Sequence, residues 1–285
     1  MLPIFFVKIQ GTQTMIIFDI ETFKSDDEQY LAYKSGTIKA PSNYKDPEKI
    51  QAYIEEATKE RAEKFALSAL TGKIILIGML TNNIPDNFKT ILLDNNALTA
   101  FNLRTRDLER EAVYAIEHPD EEDKIIYMPD TVDDIWYFIQ LGLNGMTEDK
   151  MLGAFWYIVQ YDLMQQGGKL IGYNSTNFDL PYLIRRSIIN KVSPPASLHI
   201  SRLTAKYNNN IHYDIYRALE FNGQPYESGS LIDWQYLLGG YSLERDGSKI
   251  KGWYEAGEHQ KIIDKNIADL FQTKKVWESI DGWLK

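Results

Sequence analysis

The chain has 285 residues, 44% hydrophobic and 25% charged, a globular composition long enough to bury a core and unlike that of a disordered chain. It has no cysteine, which excludes disulfides, thiolate nucleophiles and cysteine-built zinc sites and fits a reducing compartment. Its four histidines (His118, His199, His212, His259) are too scattered for an imidazole-dominated metal site. With a formal charge of −9, any metal would be held by carboxylates, whose oxygens favour Mg²⁺ or Mn²⁺.

Leu2–Val7 is apolar but too short for a signal-peptide core and lacks a basic start. The seven-residue run Ile74–Leu80 falls far below the roughly 20 residues needed to cross a bilayer. These features predict a soluble, cytoplasmic protein with no membrane partner.

In chain order, Met15–Ile20 reads as a buried strand. Asp46–Leu70 shows helical spacing at Ile50, Tyr53, Ile54 and Ala57. Lys73–Thr81 and Phe88–Asp94 are β-rich runs joined by Asn82, Asn83, Pro85 and Asp86, which predicts an antiparallel hairpin. Residues 94–134 read as an acidic insertion of undefined structure. Glu148–Gln166 is an apolar helix ended by Gly167-Gly168, and Lys169–Tyr173 is a short strand. Asp179 is placed to cap a helix running to about Asn190, with Pro181 in its first turn. Ser193–Asn210 is loop-like, Ile211–Ile215 a last strand, and two or three helices fill Ser230–Lys285. The layout is α/β with a mixed five-stranded sheet, and no linker divides residues 1–285, which predicts a single domain.

The charge is unevenly spread. Residues 94–134 hold twelve acids and four bases and so carry −8 of the −9. Residues 180–217 carry six bases (Arg185, Arg186, Lys191, Arg202, Lys206, Arg217) against Asp214 alone, interleaved with Tyr182, Tyr207, Tyr213 and Tyr216. Cations for phosphate and rings for stacking suit single-stranded nucleic acid; a solvated helix face followed by a polar loop is the plainer reading.

Asp19 and Glu21 are two apart on the first strand and so share a face of the sheet. Two carboxylates at the end of a buried strand repel unless a cation lies between them. Read singly, Asp179 is a helix cap and Asp269 an exposed acid on a helix.

Taken together, three stretches resemble known motifs. They are Phe18-Asp19-Ile20-Glu21-Thr22, the segment Gly172-Tyr173-Asn174-Ser175-Thr176-Asn177-Phe178-Asp179, and Asn266-Ile267-Ala268-Asp269-Leu270-Phe271-Gln272-Thr273. They resemble the three exonuclease motifs of the DEDD superfamily, most closely the 3′–5′ exonucleases related to the proofreading domain of family B DNA polymerases. Order and spacing fit over residues 14–281, apart from insertions near 24–70 and 94–147.

The resemblance implies a ribonuclease-H-like fold in which Asp19, Glu21, Asp179 and Asp269 converge on two Mg²⁺ or Mn²⁺ ions about 4 Å apart. One ion would activate water and the other would stabilise the departing 3′ oxyanion. Thr22 and Phe23 would lie close to the 3′ terminus, with Asn174 and Phe178 shaping the site. On charge alone, Arg185, Arg186, Lys191, Arg202 and Lys206 are the candidate phosphate contacts. The implied substrate is a single-stranded 3′ end, DNA before RNA, with room for a replication or repair protein alongside and no oligomeric state specified.

The pattern departs from the family at one place. Four residues before the last aspartate the family carries a tyrosine, or in another branch a histidine five before; here those positions are Lys265 and Asp264. Helical spacing puts Lys265 on the face of Asp269. Lys265 could act as a base, although the surrounding carboxylates oppose that. It could grip the scissile phosphate, or it could mark a weak or inactive site. Tyr254 and His259 are nearby substitutes. The rival readings are a non-catalytic nucleic-acid-binding or scaffold protein and a ribonuclease of the same superfamily. No phosphate-binding glycine loop and no G-x-S-x-G elbow occurs.

Overall fold

The structure is a computed structural model and describes residues 14–84, 98–102, 135–161, 163, 167–205, 211–220, 228–238 and 247–281. Its elements run β1 (Met15–Lys24), α1 (Glu28–Gly36), α2 (Pro47–Glu63), β2 (Gly72–Thr81), β3 (Leu98–Asn102), β4 (Ile135–Gly142) and α3 (Glu148–Gln160). There follow β5 (Lys169–Gly172), α4 (Asp179–Ile189), α5 (Ile200–Leu203), β6 (His212–Asp214), α6 (Ile215–Leu219), α7 (Leu231–Leu237), α8 (Lys249–Glu255) and α9 (His259–Ile280).

The sheet has the order β3-β4-β2-β1-β5-β6. β1 pairs antiparallel with β2, β2 with β4 and β4 with β3, whereas β1–β5 and β5–β6 are parallel. The five strands β4-β2-β1-β5-β6 form the expected ribonuclease-H-like mixed sheet, and β3 adds a sixth at its edge.

Alternation along β1 sorts its side chains. Ile16, Phe18 and Ile20 pack with Leu152, Phe155 and Trp156 of α3 and Leu180 and Leu183 of α4. Ile17 and Phe23 face the other way, with Ile262, Leu270 and Val276 of α9. Asp19 and Glu21 therefore lie on the α9 face. No helix among the described residues is long and apolar enough to cross a membrane.

Several sequence expectations need correction. The helix expected over Asp46–Leu70 stops at Glu63, followed by a short 3-10 turn over Phe65–Leu67, and α1 is an added helix. Phe88–Asp94 lies outside the described residues. Both edges of β2 are taken, by β1 and by β4 from far along the chain. Turn-forming residues after Thr81 suggested a local partner, but non-local pairing fixes this strand. Ile135–Gly142 itself carries a strand signal, an eight-residue run rich in β-branched and aromatic residues, within the span assigned to an insertion.

Candidate functional site

β5 pairs with β1 only over Met15–Ile17 and ends at Gly172, so further along β1 the edge facing β5 lacks a strand partner. The backbone N–H of Ile20 is satisfied there by Asp179 Oδ1 at 3.3 Å. This is the divergence of strand ends at which open α/β sheets place their sites. Asp179 is the first residue of α4, and Phe178 holds the cap position without a side-chain cap bond. The expected capping role of Asp179 is thus replaced by a long-range tie to β1.

The turn before it is held by Asp214, a buried carboxylate at the end of β6. Its oxygens accept from the N–H groups of Asn174 at 2.9 Å and Thr176 at 2.8 Å. Asn174 sits at φ 58°, a left-handed conformation that asparagine tolerates. Its side-chain oxygen accepts from Asn177 Nδ2 at 2.7 Å. Below the turn, Ser175 Oγ and His212 Nε2 are 2.9 Å apart, and burial lowers the pKa of the imidazole.

From the opposite face α9 brings Lys265, Asn266 and Asp269. Asp19, Glu21 and Asp269 each offer an oxygen within 4.8 Å of the other two. Asn266, fully buried, donates from Nδ2 to Asp19 Oδ2 at 2.8 Å. Its Oδ1 is buried without a hydrogen-bond partner, lodged over Gly78 of β2, where an added Cβ would come within 1.6 Å of it. Gly78 is the residue of β2 directly opposite Asp19, so a bare backbone at this register lets α9 reach the acids.

Lys265 Nζ lies 2.8 Å from Glu21 Oε1 and 2.8 Å from Asp269 Oδ2. Burial works against this ammonium, but Glu21, Asp269 and Asp19 outweigh it and push its pKa up. Paired with two carboxylates it is a cation here, which weighs against the general-base reading, as the surrounding acids led the sequence to suggest.

The carboxylates move the other way. Burial, then Glu21 and Asp179, hold Asp19 well above the usual range; burial also raises Glu21 against the opposing pull of Lys265. Burial pushes Asp179 up to about 7. A group of acids this poorly solvated is stabilised by added positive charge.

Beside Asp19 and Asp269 opens a cavity of about 550 Å³, with Tyr173, Asn174, Tyr216 and Asp233 on its walls. Tyr173 and Tyr216 meet edge to face at 5.9 Å, and the Tyr173 hydroxyl donates to Gly229 O at 2.7 Å.

The remaining predicted residues divide. Thr22 is half-buried at the register shift following Glu21. Phe23 is buried, its ring 4.5 Å from that of Tyr254, which in turn stacks on His259. Phe23 and Tyr254 thus pack against each other on the α9 side of the sheet. Phe178 packs on Tyr182.

Arg186 is also corrected as a phosphate contact. It is buried, paired with Glu148 through Nε and Nη2, and donates from Nη1 to Ala69 O. Arg185, Lys191 and Arg202 are exposed, and Lys206 lies outside the described residues. Sequence reasoning assigned no roles to Asn266, Gly78 and Asp214. Of these, Asn266 carried a signal, since it lies three residues before Asp269 and so shares its helix face.

The profile of a family described as predicted 3′–5′ exonucleases related to the exonuclease domain of PolB matches residues 126–281, more than half of the sequence. The chain belongs to that family. The matched span includes Asp179, Lys265 and Asp269, while Asp19 and Glu21 precede it and join the site through the fold. No curated protein matches the sequence at a significant level.

Proposed function

We propose that this exonuclease-family chain, acting as one unit over residues 1–285, hydrolyses the terminal phosphodiester at the 3′ end of single-stranded DNA. It would do so with divalent cations, Mg²⁺ or Mn²⁺, held by Asp19, Glu21, Asp179 and Asp269. The observation that carries this reading is the meeting of Asp19, Glu21 and Asp269 oxygens within 4.8 Å. All four candidate ligands are carboxylates, the donor set that hard divalent ions prefer. Bound cations would supply water activation and neutralisation of the departing oxygen.

The chain's own residues do the rest. Asn266 fixes the rotamer of Asp19, Asp214 braces the turn that leads to Asp179, and the Lys265 ammonium offsets charge against an approaching phosphate. The cavity lined by Tyr173 and Tyr216 offers aromatic surface beside the acids for a terminal base. Lack of cysteine supports a cytoplasmic setting, and replication or repair proteins are the fitting partners for such an activity.

A second reading, a nucleic-acid-binding relative without catalysis, is favoured by one observation, the direct bonding of Lys265 to two of the clustered acids. A single assay separates the two. Wild-type protein should shorten a 5′-labelled single strand in a cation-dependent way, and Asp19→Ala should abolish shortening. Protein inert with both Mg²⁺ and Mn²⁺ on DNA and RNA would end the enzymatic reading.

A further inference from the structure

Two of the three acids that meet are already joined by a positive charge. Lys265 Nζ bonds Glu21 Oε1 and Asp269 Oδ2, both at 2.8 Å, while no ion pair joins it to Asp19 or Asp179. Its side chain is only 11% exposed and leaves α9 one turn before Asp269. It is not a surface lysine that has drifted inward, because helix packing delivers its stem to the cluster.

We propose that the Lys265 ammonium permanently fills one of the two cation positions of this site, so that the chain takes a single divalent ion, with Asp19 the clustered acid left to ligate it. This inference rests on the cation-binding reading above. A second divalent ion ligated by Glu21 and Asp269 would have to displace the ammonium or lie against it. Displacement would leave a buried cation without partners, and coexistence would place +2 beside +1 in a poorly solvated pocket. The neutral side chain expected at position 265 from the family pattern imposes neither cost. Lysine here therefore exchanges an exchangeable ion for a covalently tethered one.

The test counts ions. Mn²⁺ is titrated into the full chain and free Mn²⁺ is read by electron paramagnetic resonance, with thermal melting followed in parallel. Wild type should saturate at one Mn²⁺ per chain, and Lys265→Met should bind two, the second at least tenfold tighter than any second ion in wild type. Lys265→Arg, which keeps a cation, should stay at one. Asp19→Ala should lose the wild-type ion.

Two ions of comparable affinity in wild type would overturn the inference, whether or not Lys265→Met folds. A folded Lys265→Met variant that still binds one ion would also overturn it. Two ions together with digestion of the labelled strand would leave the exonuclease reading standing, whereas no bound ion would bring down both.

Discussion

Gly78 and Asn266 decide how closely α9 can approach the acids on β1. A methyl group at Gly78 would meet Asn266 Oδ1 at 1.6 Å and Cγ at 2.7 Å, so one of the two elements must shift. Overpacking of this kind costs about 1–3 kcal/mol. We expect Gly78→Ala to lower stability by that amount in a denaturant titration and to lose most nuclease activity, because Asp19 is released from Asn266. Adding Asn266→Ala should recover stability without recovering activity, a non-additive pair of the kind contacting residues give.

The same buried acids set a pH dependence. Burial raises Asp19, and raises Asp179 to about 7, whereas an aspartate in an unfolded chain titrates at about 3.9. Between those values the folded chain binds more protons than the unfolded one, so stability falls as pH rises through the window. Metal-stripped protein should therefore melt lower at neutral pH than at about pH 5, and Mg²⁺ or Mn²⁺ should restore the loss at neutral pH. Asp179→Asn should narrow the gap by about 2–4 °C, the shift given by roughly 1 kcal/mol in a chain of this size. A gap unchanged by Asp179→Asn would show that other groups cause it.

At the level of elements, α3, α4 and β2 are joined by one carboxylate. Glu148 accepts from Ile74 N–H at 2.8 Å, from the Arg186 guanidinium and from Asn190 Nδ2. Ile74 lies where the β1–β2 register shifts, Thr22 pairing with Ile74 after Glu21 pairs with Leu76. Glu148 thus satisfies a backbone donor next to the irregularity that ends the active stretch of β1. Removing one partner of such a buried pair leaves the other charge uncompensated, at about 3–5 kcal/mol. Arg186→Ala should destabilise by that much in thermal and denaturant melts.

This pair also shows where sequence reasoning reaches its limit. Asp19, Glu21, Asp179 and Asp269 stood out because three separate stretches together resemble one family's motifs, and the structure brings Asp19, Glu21 and Asp269 within 4.8 Å of one another. The partner of Arg186 lies 38 residues upstream on another helix, and nothing local distinguishes it from its exposed neighbour Arg185. Likewise β1, β2 and β5 announce themselves by apolar runs, whereas the pairing of β2 with β4 is a tertiary choice that no turn residue encodes.

Over the whole molecule, three of the candidate phosphate contacts are exposed, and the first of them lies on the helix that begins at the site. α4 begins at Asp179 and carries the exposed Arg185 six residues on, about 9 Å along the axis. Lys191 and Arg202 follow, both exposed. If single-stranded nucleic acid runs over these residues, each lost phosphate contact should reduce the salt dependence of affinity by about 0.7 in log–log slope. The triple Arg185→Ala, Lys191→Ala, Arg202→Ala variant should therefore show a slope flatter by about 2. An unchanged slope in the triple variant would place the strand elsewhere. Of the acidic segment 94–134, only β3 lies within the described residues.

The reach of α9 across the sheet has a temporal consequence. Lys265 and Asn266 bond to acids 244 and 247 residues earlier in the sequence. A nascent polypeptide that has exposed β1 but still holds α9 inside the ribosome cannot assemble the cutting centre. Under the proposed function, the acids of β1 remain an incomplete site until α9 has docked across the sheet, so hydrolysis waits on folding.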